Sequence, residues 1–280
     1  MAENRQGGEG ARRPARDGRD NRTGRDGGAQ RGRRDGVPTR SGPGRARPSQ
    51  PRHDGAGDDR PQGPRIPDDV DAKQLAPEIR RELITLDKST ADYIAKHLVA
   101  AGTLLDEDPQ AALAHAQAAR TRSGRIAAVR EAVGIAAYHC GDWAQALSEL
   151  RAARRMGSKS ALLPLIADCE RGVGRPERAI ELARSTEAAE LTGDDADELR
   201  IVVSGARADL GQFEQALAVL ASPPPDPTRT GQTPARLSYA YADALLALER
   251  KDEALQWFLK AAEADVDGVT DAEDRVSELA

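Results

Sequence analysis

Aromatic side chains are scarce in this sequence: they make up 3% of its 280 residues, and none precedes Tyr93. Large apolar side chains supply much of the surface that a folded domain removes from water. Their one-sided distribution predicts an N-terminal part that cannot build a core and a C-terminal part that can.

Cysteine is rarer still, and only Cys140 and Cys169 occur. Neither belongs to a CxxC motif or to a Cys/His spacing that would hold a metal ion, so we expect two reduced thiols in a cytosolic protein. The sequence has no apolar run of the roughly 18 residues that a membrane-spanning helix needs. Its beginning also lacks the apolar stretch of a secretory signal. These absences predict a cytoplasmic protein that makes no membrane contact.

Catalytic and cofactor-binding motifs are missing as well. The four histidines form no HExxH or His-x3-His pair, the kind of spacing that places two metal ligands on one helical face. The chain also lacks the GxxxxGK[ST] phosphate loop and the GxSxG turn of many hydrolases. We therefore predict a protein that is not an enzyme and holds no metal or cofactor.

Arginine dominates the N-terminal tail, defined here as residues 1–65. The tail contains sixteen Arg, no Lys and nine Asp or Glu, a net charge of +7, whereas residues 66–280 carry −12. Because the tail has almost no branched apolar residue, it cannot offset an ordering cost of roughly 1–2 kcal/mol per residue. We predict that the tail is disordered and that it either contacts nucleic acid weakly or lies against the acidic body.

An alanine followed by leucine or isoleucine recurs five times at nearly constant spacing. The separations between successive alanines are 34, 33, 37 and 38 residues. We call these five residues the alanine column: Ala112, Ala146, Ala179, Ala216 and Ala254. Five such pairs constitute an internal repeat.

Two further columns accompany each alanine. A small residue such as Gly134 stands twelve residues before it, and an apolar residue such as Leu150 or Phe258 stands four residues after it. Small residues let two helix backbones approach closely, while large ones at helical spacing fill the seam. Glycines such as Gly141 and Gly211 mark the turn between the two helices. The chain is therefore predicted to be all-α, and each repeat to consist of a helix, a tight turn and a second helix.

The period near 34, the small-residue column and the stretches GDWAQAL and ALQWF resemble the tetratricopeptide repeat (TPR) over about residues 92–265. The early Trp and the closing Pro of the family pattern are missing. The resemblance implies a right-handed α-solenoid of about five degenerate helical hairpins. Residues 66–91 would then form an N-terminal capping region and residues 266–280 a C-terminal capping helix. The whole chain has an arginine-rich tail followed by PEIRREL, RIAAVREAVGIAAYHCGDW and GVGRPERAIELARS. In this it also resembles uncharacterised actinobacterial TPR proteins, which implies a bacterial cytoplasmic protein but no activity.

The resemblance also implies a function, because TPR arrays line an inner groove with the first helix of each hairpin and hold a partner's peptide or helix there. The inward-facing positions imply seven groove residues: Glu131, Tyr138, Asp168, Arg171, Arg236, Tyr239 and Asp243. Acids stand where one TPR class places cations to hold a carboxylate, which favours a neutral or basic partner segment. The alternative is a protein associated with nucleic acid or the ribosome that binds through the tail.

Overall fold

The computed structural model describes residues 63–158 and 161–280, and within them the chain forms α-helices, two short 3-10 helices and no strand. All of these helices belong to one compact unit, Gly57–Ala280. Most of the predicted disordered tail, residues 1–62, lies outside the described residues. In chain order the α-helices are α1 (Pro77–Glu82), α2 (Lys88–Leu104), α3 (Pro109–Arg122), α4 (Ala127–His139), α5 (Trp143–Arg155), α6 (Leu163–Gly172), α7 (Pro176–Leu182), α8 (Thr186–Glu190), α9 (Gly193–Asp209), α10 (Phe213–Ala221), α11 (Gln232–Leu246), α12 (Lys251–Ala264) and α13 (Ala272–Leu279).

Consecutive helices of the described part pack as five hairpins: α2 with α3, α4 with α5, α6 with α7, α9 with α10, and α11 with α12. Each hairpin also contacts the next, through α3 and α4, α5 and α6, α6 and α9, and α9 and α11. At the C-terminal end, α13 packs against α12. The expectation of an all-α stack of five helical hairpins is confirmed.

The alanine column lies in the interior of the stack. Each of its five residues is at most 1% exposed, and the neighbouring Leu150 and Phe258 are fully buried. A Cβ atom added at Gly134 would lie 2.7 Å from Cγ of Leu150 and 3.1 Å from its backbone nitrogen. Helices α4 and α5 therefore approach so closely at this point that any side chain at residue 134 would force Leu150 to move.

Left-handed backbone conformations end the first helix of several hairpins. Gly141 has a φ of 73° and Gly211 a φ of 71°, a region that is costly for residues with a Cβ atom. After Gly141, the amide of Asp142 donates to the carbonyl of Ala137 at 2.9 Å, which is the long hydrogen bond of a Schellman motif. In the fifth hairpin Glu249 occupies the equivalent position with a φ of 60°, so no glycine marks that turn in the sequence.

The third and fourth hairpins are followed by insertions. Helix α7 spans only seven residues and is followed by the additional short helix α8. Helix α10 ends at Ala221, and a loop that begins with the cis Ser222–Pro223 peptide bond runs to the start of α11. These added residues account for the longer separations of 37 and 38 in the alanine column.

Buried carboxylates link elements of neighbouring hairpins. Glu149 on α5 is 4% exposed and lies 3.1 Å from a guanidinium nitrogen of Arg120 on α3 and 2.8 Å from one of Arg130 on α4. Asp197 on α9 is paired with Arg229, from the loop before α11, at 2.7 Å. An unpaired buried charge costs several kcal/mol, so these pairs keep the interior electrostatically satisfied. They lie outside the repeat columns, and the periodicity predicts none of them.

Candidate partner-binding groove

Three of the predicted groove residues form one hydrogen-bonded network across successive first helices. The Tyr138 hydroxyl on α4 donates to Oδ2 of Asp168 on α6 at 2.5 Å, and Nη1 of Arg171 donates to Oδ1 of Asp168 at 2.9 Å. Arg171 also reaches α9, where its Nε donates to Oδ2 of Asp209 at 2.8 Å. The network therefore joins the second, third and fourth hairpins.

The electrostatics of this network keep both of its donors protonated. Burial, reinforced by the Asp168 carboxylate, raises the pKa of the Tyr138 phenol well above its usual range. Burial alone would lower the pKa of Arg171, but its hydrogen bonds and charge interactions with Asp209 and Asp168 outweigh that effect and raise the pKa. Two carboxylates thus face one guanidinium, and the network has a net charge of −1.

Replacing Tyr138 by phenylalanine tests whether the network contributes to stability. The change removes one hydrogen bond to a carboxylate and retains the ring, so the free energy of unfolding should fall by about 1–2 kcal/mol. Urea denaturation followed by far-ultraviolet circular dichroism measures this value. Tyr241→Phe is the matched control, because the Tyr241 hydroxyl makes no hydrogen bond within residues 63–158 and 161–280. Equal losses in the two variants would show that the bond to Asp168 contributes nothing.

A cleft of about 350 Å³ opens between α9 and α11. Arg171 and Asp243 both line it, so the structure brings together predicted groove residues from the third and fifth repeats. Phe213, at the start of α10, lines the cleft and is 38% exposed. The Arg171 guanidinium lies over Gly205, where an added Cβ atom would be 2.6 Å from its Cζ. The rest of the lining includes small side chains, which leave space above the helix backbones: Ser204, Ala208, Ala240, Ala244 and Ala247.

Asp243 gives the cleft a negative charge that is only loosely paired. Its side chain is 49% exposed, and Arg275 on α13 lies 3.6 Å from Oδ1. Burial raises the pKa of Asp243; the Arg275 charge opposes this shift and the Asp271 carboxylate adds to it. A cation bound in the cleft would therefore stabilise the ionised carboxylate.

Two other predicted groove residues do not line this cleft. The Tyr239 ring packs edge-on against Phe258 with a centroid distance of 5.1 Å. Burial and a hydrogen bond with Asp271 raise the pKa of the Tyr239 phenol, which places this side chain towards the C-terminal segment. Arg236 is paired with Glu198 on α9 at 3.1 Å.

Glu131 lines a second and larger pocket, of about 640 Å³, between α1 and α4. Its Oε2 accepts a hydrogen bond from the Ser158 hydroxyl at 2.7 Å. Glu82 of α1 accepts a hydrogen bond from the Ala128 amide at 3.1 Å and so satisfies a free donor in the first turn of α4. Of the seven predicted groove residues, Glu131 therefore lines the pocket next to α1, Arg171 and Asp243 line the cleft between α9 and α11, and the other four line neither.

Sequence reasoning missed Asp209 and Arg275, which complete the contacts of Arg171 and Asp243. Asp209 shares its repeat position with residues of unrelated chemistry, so no column marks it: Leu105, His139, Gly172 and Ala247. Arg275 lies in α13, beyond the repeats. Nothing in the pattern of a single sequence therefore marks Asp209 or Arg275 as a residue of the site.

The described ranges offer no group of three His, Cys, Asp or Glu side chains that could hold a metal ion. No helix in that part of the chain is long and apolar enough to cross a membrane. Burial raises the pKa of the Cys169 thiol to about 12. This thiol is therefore protonated and unreactive at neutral pH.

No protein-family model and no curated protein matches this chain. Among solved structures, the chain is similar to YrrB, a TPR protein described as having an unusual peptide-binding site. The two chains are 19% identical, the match covers 72% of this chain and 100% of that one, and the TM-score is 0.42. The hairpin architecture of the present chain rests on its own helix contacts.

Proposed function

We propose that this chain is a non-enzymatic scaffold protein of the bacterial cytoplasm that binds a peptide or helix of a partner protein along its first helices. The observation that carries the proposal is the cleft between α9 and α11, where Arg171, Phe213 and Asp243 surround a lining of small residues. An exposed aromatic ring beside charged groups is typical of the anchor points that dominate protein interfaces. The bacterial and cytoplasmic assignments follow from the sequence resemblance alone.

The charges of the cleft favour a neutral or basic partner segment. Arg171 already faces Asp168 and Asp209, so two carboxylates compensate its positive charge. Asp243 is half-exposed and its only ion pair in the described residues, to Arg275, is 3.6 Å long. A lysine or arginine of the partner would improve this pairing, whereas a carboxylate would be repelled.

The shape of the cleft favours one large apolar side chain next to that cation. The alanines of α9 and α11 do not fill the space between the two helices, and the volume of about 350 Å³ lies within the range of pre-formed binding pockets. An amphipathic helix or an extended peptide could place such a side chain against Phe213. The proposal therefore specifies an apolar residue with a neighbouring Lys or Arg.

The test compares two cleft variants with a surface control in the full-length chain. Ala247→Trp fills the cleft from an exposed position and Asp243→Lys reverses its charge, while Ala189→Trp adds the same ring at an exposed position on α8. Partners are captured from a cytosolic lysate on each protein, with and without nuclease, and identified by mass spectrometry. Affinity for the captured partner's segment is then measured by fluorescence anisotropy.

Both cleft variants should weaken binding at least about tenfold, the effect of losing roughly 1.4 kcal/mol at an anchor point. The control should bind like the unmodified chain, and all proteins should show the same unfolding midpoint. A partner that binds all four proteins equally would refute the cleft as its site. Partners that disappear on nuclease treatment would instead favour the alternative function, binding of nucleic acid or ribosomes through residues 1–65.

A further inference from the structure

A third depression, of about 370 Å³, lies on α5 and the turn between α6 and α7. The side chains of Arg151, Arg155 and Arg175 line it together with Ser148, and no carboxylate does. We call these three arginines the arginine cradle. None of its residues lines the cleft between α9 and α11, so the cradle is a separate feature of the surface.

Glu170 positions two of the three arginines. It is 1% exposed, its Oε1 accepts a hydrogen bond from Arg151, and its Oε2 lies 3.7 Å from Nη1 of Arg175. The longer contact is an ion pair without a hydrogen bond, and Glu170 Oε2 has no hydrogen-bond partner in the described residues. The N–H groups of Arg175 therefore remain able to donate hydrogen bonds to a ligand, while the ion pair with Glu170 holds its guanidinium in place. Side chains positioned in this way lose less conformational freedom on binding.

Arg155 has no such anchor. It is exposed at the end of α5 and has no ion-pair partner within the part of the chain that the structure describes. Three guanidinium groups and the one buried carboxylate leave a local charge of +2 on a body that carries −12 over residues 66–280. A positive cluster that the surrounding acids do not neutralise is a site at which an anion can bind without displacing an existing ion pair.

We propose that the arginine cradle binds a phosphate monoester, carried by a phosphorylated serine or threonine of a partner protein. A phosphate monoester has a charge near −2 and three acceptor oxygens at neutral pH. Guanidinium groups present planar pairs of donors that match those oxygens, and the Ser148 hydroxyl adds a further donor. Clustered arginines are a recurring means of recognising phosphorylated segments.

Nucleic acid fits the cradle less well. No aromatic ring lines the depression, so unstacked bases would find no stacking platform. The three arginines also share one depression instead of following a line along which a phosphodiester backbone could run. In addition, a long polyanion would be repelled by the acidic body, whereas a single phosphate group feels mainly its nearest charges.

The experiment titrates the full-length, 15N-labelled chain with O-phospho-L-serine at constant ionic strength and follows the arginine Nε–H resonances by NMR. Arg155→Gln is the informative variant, because Arg155 supports no other described group and its loss should not disturb folding. Arg125→Gln is the matched control, since Arg125 is also exposed and has no ion pair within the described ranges. The arginines of residues 1–65 are present in every protein, so differences between variants report the cradle alone.

The resonances of the three cradle arginines should shift saturably with one dissociation constant. Arg155→Gln should raise that constant about tenfold, the loss of one charge-assisted contact, and Arg125→Gln should leave it unchanged. Lowering the pH from 7.5 to 5 should weaken binding, because the second pKa of the phosphate lies near 6. Asp243→Lys in the cleft should have no effect, which separates this proposal from the proposed function.

Three results would overturn the proposal. The first is a linear, unsaturated shift of the cradle resonances. The second is an equal dissociation constant in Arg155→Gln and the unmodified chain. The third is a single-stranded oligonucleotide that shifts the same resonances, binds more tightly than phosphoserine and loses affinity in Arg155→Gln. That result would assign the cradle to nucleic acid.

Discussion

Replacing Ala146 by aspartate should destabilise the fold by about 3 kcal/mol or more, because it places a charge in a position that has no water and no partner. Ala146 is 0% exposed and belongs to the hydrophobic core formed by α2 to α6. It is packed among buried residues of α3, α4 and α6, and the protein interior is too dense for a carboxylate to reach solvent from there. Urea denaturation, followed by circular dichroism, gives the change in the free energy of unfolding.

Ala144→Asp is the matched control for this substitution. Ala144 lies one position away from Trp143 in the first turn of α5 and is exposed, so a carboxylate there stays hydrated and interacts favourably with the helix dipole. Its stability should change by no more than about 0.5 kcal/mol. Arg33→Ala in the tail should also leave thermal unfolding unchanged. Comparable losses at residues 144 and 146 would contradict the assignment of the alanine column to the helix crossings.

Acidification should produce the second large loss of stability, through a buried pair of histidines. The Nδ1 atoms of His97 on α2 and His115 on α3 lie 2.9 Å apart, and the two residues are 1% and 3% exposed. Within residues 63–158 and 161–280, no carboxylate contributes to the pKa of His97. The Tyr93 ring lies 4.3 Å from that of His97, and Arg122 stacks on Tyr93. One Nδ1 must donate the hydrogen bond and the other must accept it. The two rings therefore cannot both be positively charged imidazolium groups in this geometry.

Burial, together with the charges of His115 and Arg122, lowers the pKa of His97 to about 4, and burial also lowers the pKa of His115. An unfolded histidine titrates near 6.5, so between pH 6.5 and 4 the unfolded chain binds more protons than the folded one. The stabilisation is therefore complete above pH 6.5 and is lost as the pH falls through this window, by up to about 3 kcal/mol.

Unfolding free energies at pH 7.5, 6.5, 5.5 and 4.5 measure this loss. His97→Gln should lower stability at pH 7.5 but flatten the dependence between pH 7.5 and 5.5, since one of the two titrating groups is gone. His139→Gln is the control, because His139 is exposed at the end of α4 and should leave the profile unchanged. An identical slope in the unmodified chain and in His97→Gln would exclude the pair as the cause.

The fold could be predicted from the sequence, because the residues that define each hairpin are close together in the chain and recur in every repeat. Each hairpin must bring two helices together, and the residues at the crossing stand at a constant distance along the chain. Gly134 and Leu150, sixteen residues apart, meet for this reason. The turn at Glu249 was harder to predict from the sequence. Glycine marks the left-handed conformation in several of the other turns, whereas here Glu249 adopts it.

The candidate site could be predicted from the sequence only in part. The TPR resemblance selected Tyr138, Asp168 and Arg171, and the structure joins these three in one network. It did not indicate that Arg171 and Asp243 line the same cleft, nor that Tyr239 lies beside Phe258 instead. Those relations depend on how neighbouring hairpins stack, and α8 and the loop before α11 are inserted between the last three hairpins.

The helical hairpins, their number and their buried contact residues can therefore be read from the sequence, because short-range periodicity and side-chain size encode them. Which charges meet depends on tertiary packing. Asp168 accepts a hydrogen bond from Tyr138, 30 residues away in the sequence, and Arg171 pairs with Asp209, 38 residues away. Glu170 on α6 accepts a hydrogen bond from Arg151 on α5. Ion pairing selects whichever partner the stacking of hairpins brings within about 4 Å, and no spacing along the chain encodes that choice.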